Sequence, residues 1–212
     1  MCGIAGLIHR GKSSDVGNEL QLMLQALKHR GPDSTGYALY ADNDGENFIM
    51  RFKVGENVGE GSTSVNEDDS VYDKRKELVD QMLKNLNATV VKEEKLTPYS
   101  YRYEMKYDQD LMEFSKKIES IESVEILSIG KSLELIKDLG DAQAVSERYD
   151  LAKVKGTHGI GHARMATESG VDIKSAHPFW GYPFSDVSVV HNGQLTNYWN
   201  LSLIHISEPT RP

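Results

Sequence analysis

Alternation of apolar and polar positions, and apolar spacing of three and four, divide the chain into short elements. Residues 3–8 are mostly apolar and His9-Arg10 ends the run, which predicts a buried first strand. A polar loop over 11–17 leads into residues 18–29, where Leu20, Met23, Leu24 and Leu27 share one helical face. Residues 30–36 concentrate turn formers and read as a loop. Segments 37–40 and 47–54 read as strands on either side of Asp42-Asn43-Asp44-Gly45, which predicts a hairpin.

The texture changes over 58–149. Residues 66–70 form an acidic loop, and 71–86 an amphipathic helix with Leu78, Met82 and Leu86 on one side. Residues 89–94 and 99–107 alternate as two strands around Thr97-Pro98. A helix is predicted over 108–118, a short strand over 124–129, and a further helix over 132–139 that stops near Gly140. This order predicts a small α+β subdomain at 58–149, inserted into a main fold formed by 1–57 and 150–200. Its charge runs read as solvated helix faces. Beyond it, 157–163 and 186–191 read as strands, the second ending at the turn pair Asn192-Gly193.

Composition adds limits rather than a function. With 39% hydrophobic and 26% charged residues there is material for a core. A formal net charge of −8 argues against a general nucleic-acid surface. No apolar run approaches the roughly 18–20 residues of a membrane span, and residues 2–8 lack the basic region of a signal peptide. The single cysteine excludes an internal disulfide and fits a reducing compartment. A cytoplasmic protein with neither membrane nor nucleic acid as partner is the expectation. His158 and His162 are four apart but on a predicted strand, and there is no second cysteine, so no metal site is expected.

Cys2 carries the chemical interest. Removal of Met1 would place a thiol and a free α-amine on one residue. An α-amine with a pKa of roughly 7.7–8.0 is a usable base near neutral pH, and the thiolate is the attacking species. The alternative is a cysteine that merely fills space. Three other segments are dense in polar groups. Residues 161–167 (GHARMAT) close a glycine-bearing strand with Arg164, whose fork suits a carboxylate, and Thr167 adds a hydroxyl. Asn192 and Gly193 can aim a side-chain amide and a backbone N–H at one point, as an oxyanion hole requires, or simply form a turn. Residues 29–36 (HRGPDSTG) can border a site or serve only as a connection. His162, His177 and His191 read as packing or supporting residues, and Met165, Trp180 and Tyr182 as core or pocket wall.

Together these segments resemble the class II glutamine amidotransferases of the N-terminal-nucleophile hydrolase superfamily. The resemblance covers about residues 1–200. It rests on 1–6, 29–36, 161–167, 176–179 (AHPF) and 191–197 (HNGQLTN), in that order. Residues 161–200 look most like the amidotransferase subunit of archaeal-type glutamate synthases. The resemblance implies an α+β fold, a four-layer αββα sandwich that is incomplete at the C-terminus. It matches Cys2 to the nucleophile and its α-amine to the base. Asn192 and Gly193 match the oxyanion pair, and Arg164 and Thr167 match glutamine-binding positions. It further implies hydrolysis of glutamine through a Cys2 thioester, with ammonia passed to a synthase partner. Flavin and iron–sulfur centres are expected only on that partner, and no cofactor in this chain. An asparagine-synthetase-like or sugar-phosphate amidotransferase, and a non-catalytic assembly protein or inactive fragment, are the alternatives. Residues 201–212 depart from the family pattern and carry Pro209 and Pro212. They back-translate to a sequence resembling a transposase-type library adapter, which predicts a non-native tail.

Overall fold

The computed structural model describes residues 2–43, 45–55, 68–165, 173 and 176–193. It is a mixed α+β fold with antiparallel sheets, consistent with the sandwich expected of an N-terminal-nucleophile protein. The first sheet has the order β1-β8-β2-β7, formed by β1 (Gly3–Ile8), β8 (Gly156–Arg164), β2 (Ser34–Ala41) and β7 (Leu133–Leu139). Helices α1 (Val16–Ala26) and α4 (Ala142–Arg148) cover one side of it. Val16, Leu20 and Leu24 of α1 meet Ala5, Tyr37, Leu39, Ile136 and Val145 in a dry cluster. Three-and-four spacing on α1 and alternation on β1 therefore bury their apolar stripes against each other.

The second sheet has the order β4-β5-β3-β6, formed by β4 (Thr89–Thr97), β5 (Ser100–Lys106), β3 (Phe48–Lys53) and β6 (Glu125–Gly130). Helices α2 (Asp69–Asn85) and α3 (Leu111–Glu119) complete it. The sequence β3-α2-β4-β5-α3-β6 with this strand order is the ferredoxin-like arrangement. Met50, Phe52, Tyr101, Tyr103 and Met105 bury one face of the sheet with Val79, Leu83, Phe114 and Ile118 of the helices. The Asp110 carboxylate caps α3 by accepting from the N–H groups of Met112 and Glu113. The α+β unit is thus delimited by its strands at 48–130, and β7 and α4 of the 58–149 segment lie with the first sheet.

The structure departs from the expected elements at four segments. Segments 37–40 and 47–54 do not form a hairpin: β2 pairs with β7 and β8, and β3 pairs with β5 and β6. The chain instead leaves one sheet at the end of β2 and enters the other at β3. Residues 132–139 are not a helix but β7, all seven of whose residues are buried. Strong helix formers misled the reading, and pairing along β2 overrides them. Residues 30–36 are only partly loop, since β2 starts at Ser34, and 186–191 holds only the two-residue β10 (Ser188–Val189), paired with β9 (Phe179–Trp180).

Buried charges join the two sheets at β7. Glu134 accepts from both Arg51 of β3 and Arg102 of β5. Burial alone would raise its carboxyl, but the two guanidiniums hold it down at about 2. Glu125 of β6 is flanked by Lys53 and Lys137, each 3.1 Å away. Asp138 accepts from Tyr99 at 2.7 Å and Tyr149 at 3.0 Å, and pairs with Arg148 at 2.7 Å. The turn between β6 and β7 is held by Asp186, whose carboxylate accepts from the N–H groups of Lys131, Ser132 and Leu133.

Candidate active site

The site forms where the start of β1 meets the end of β8. Antiparallel register sets Gly3 opposite Ala163, so Cys2 lies beside Arg164 and Met165. The Cys2 Sγ is 3.9 Å from the Met165 carbonyl, to which the thiol donates. On the other side of β8, Ser34 is opposite Arg164, and the Asp33 N–H donates to the Arg164 carbonyl at 3.1 Å. Arg164 is buried with 8% exposure, so its guanidinium is held by structure rather than waving in solvent.

The 29–36 segment is a seat for this strand end. A Cβ at Gly31 would lie 2.4 Å from the carbonyl of Ala163, so only glycine lets the loop pass there. A Cβ at Gly36 would lie 2.0 Å from the His177 carbonyl, which places residue 177 directly on β2. The order of turn residues alone gives no sign of these two contacts.

The 176–193 segment closes the site. Asn192 donates its Nδ2 to the Cys2 carbonyl at 2.8 Å, across 190 positions of sequence. His191 donates its N–H to His177 Nδ1 at 3.2 Å. The His177 ring sits 5.2 Å from that of His162 and edge-on to Phe179 at 4.5 Å. Lys137 places its ammonium 4.8 Å over the Phe179 ring. Burial, aided by His177 and Arg164, lowers His162 to about 4, so it is neutral at pH 7. His177 is shifted in the same direction by burial and then by His191, Lys137 and Arg164.

The structure therefore sets Cys2 beside Arg164 across β1 and β8 and ties Asn192, the neighbour of Gly193, to the Cys2 carbonyl. Thr167 lies outside the described residues, as do 194–212. Trp180 and Tyr182 line a cavity of about 180 Å³ with Glu119, Glu125, Lys137 and Phe179, beside the site rather than in it. Among the described residues, no group of three or more His, Cys, Asp or Glu side chains could hold a metal ion, and no helix is long and apolar enough to cross a membrane.

No family model matches the chain. Among curated proteins, it is 38% identical over 215 positions to a protein assigned as a glutamine amidotransferase in Methanothermobacter thermautotrophicus, covering 95% of this chain and 64% of the relative. It is 31% identical over 205 positions to the glutamine amidotransferase-like protein GlxB of Rhizobium meliloti, covering 95% of this chain and 61% of the relative. A glutamine–fructose-6-phosphate aminotransferase of Methanococcus maripaludis is 34% identical over 88 positions, 41% of this chain and 14% of that protein. The chain spans under two thirds of the length of each. Over 95% of its length the chain is thus a homologue of proteins named as glutamine amidotransferases.

Proposed function

We propose that the chain is the glutamine-hydrolysing part of an amidotransferase and that it feeds ammonia to a glutamate-synthase-like partner. The observation that supports this most is the hydrogen bond from Asn192 Nδ2 to the backbone carbonyl of Cys2, the residue that carries the thiol. Once Met1 is removed, the Cys2 α-amine accepts the thiol proton and the thiolate attacks the side-chain carboxamide of glutamine. The Asn192 amide and the Gly193 N–H stabilise the oxyanion that forms. The C–N bond then breaks, the amine returns the proton to the leaving nitrogen, and ammonia departs. Water hydrolyses the glutamyl thioester to glutamate and restores the thiol. Arg164 holds the α-carboxylate of the substrate, and Thr167 contributes to the glutamine pocket.

The partner reading draws on the resemblance of residues 161–200 to the amidotransferase subunit of archaeal-type glutamate synthases. Flavin and iron–sulfur chemistry belong to that partner. The test is glutaminase activity of the full-length protein with and without Cys2→Ala. The substitution should abolish release of glutamate. Unchanged turnover would overturn the assignment of the nucleophile.

A further inference from the structure

We propose that His177 is a positioning residue, holding the Asn192-Gly193 turn on Cys2 through the His191 backbone. This rests on the glutamine-hydrolysing reading above. Asn192 can serve an oxyanion only if its amide stays at the Cys2 end of β1, and the residue before it is tied to His177 Nδ1 at 3.2 Å. His177 is a fixed post for that tie. Its carbonyl lies on Gly36, where no Cβ would fit, and its ring is held between His162 and Phe179. The Phe179 ring is in turn held by Lys137 of β7.

The tie has a chemical condition. An imidazole accepts at Nδ1 only when that nitrogen carries no proton, so the neutral ring with hydrogen on Nε2 is the working form. Protonation converts Nδ1 into a donor facing the His191 N–H and breaks the bond. The charged and titratable groups facing the ring are His162 and Arg164 of β8, Lys137 of β7 and His191 of the turn itself. Burial and these neighbours all oppose a further positive charge, so the surroundings favour the accepting form.

The test uses the full-length protein and two substitutions. His177→Ala removes the acceptor. His177→Asn places an amide oxygen near the Nδ1 position, where it accepts without titrating in this range. Glutamine hydrolysis is followed from pH 5 to 8. His177→Ala is expected to lower kcat about 10–100-fold with KM within about twofold, the scale of a misplaced reacting group. His177→Asn is expected to restore kcat near pH 7.5 and to show a shallower acid limb than the unsubstituted protein. A His177→Ala kcat within twofold of the original, or an acid limb unchanged in His177→Asn, overturns the inference. Should His177→Ala fail to fold, the acid limb of His177→Asn decides alone. Absence of hydrolysis in the unsubstituted protein overturns the functional reading and this inference with it. Hydrolysis indifferent to residue 177 overturns this inference only.

Discussion

Glu134→Gln isolates the charge network that joins the two sheets. Glu134 is 4% exposed and accepts four bonds, two from Arg51 and two from Arg102. Glutamine keeps the shape but leaves two guanidiniums facing a neutral amide. The fall of the carboxyl from 4.5 to about 2 on folding corresponds to roughly 3 kcal/mol of stability at neutral pH. Breaking a buried pair by removing one partner costs about 3–5 kcal/mol by a separate route. The two figures agree in scale. Because the folded value is the lower one, this stability is complete above about 4.5 and drains away as pH falls toward about 2. The mutant lacks it throughout, so the gap between the two proteins should be roughly 3 kcal/mol at pH 7 and roughly 2 kcal/mol at pH 3.5. Urea unfolding of both proteins at pH 7, 5 and 3.5 measures it, as a shift of midpoint at constant slope. A cost below about 1 kcal/mol at pH 7, or a gap that does not narrow with acid, would refute a net-stabilising role for the network.

Asn192→Ala should lower kcat for glutamine hydrolysis by about 10²–10³ with a small change in KM, since the amide is needed most when the oxyanion forms; an equal effect on KM would argue for ground-state binding instead. Gly31→Ala should destabilise the protein by about 1–3 kcal/mol and slow hydrolysis, because its methyl group meets the Ala163 carbonyl and pushes the end of β8 away from Cys2. Thermal unfolding and steady-state kinetics check both parts, and a neutral substitution would show that the loop can move aside.

The fold was legible in the sequence where one face of an element is wet. Helices α1 to α3 and the β4–β5 pair show their periodicities because polar residues mark the outer side. It was illegible at β7, where Glu134, Lys137 and Asp138 sit in the interior beside Leu133 and Leu135. Charged residues there read as solvent-facing, and only their partners on β3, β5, β6 and α4 explain them. The same blindness placed β3 in a hairpin with β2, since a turn signal does not say which sheet the next strand joins. At the site, Cys2, Arg164 and Asn192 were legible as residue types suited to one reaction. What spacing did not give was the steric role of Gly31 and Gly36 or the bond from His191 to His177, which exist only after distant segments meet.

The strand pairing also implies an order of assembly. All the elements of the ferredoxin-like unit lie between β3 and β6, so its core can form once β6 has emerged. The first sheet cannot, because β1 waits for β8. During synthesis, domains tend to fold in the order in which they are completed, so the thiol end of β1 stays unpaired while the rest takes shape. Cys2 is made well before residue 156 and takes its place beside Arg164 only when β8 pairs with β1. Until β8 arrives, nothing in the described structure holds Arg164 or Asn192 near it. A nascent chain therefore carries its thiol well before the strand that flanks it exists.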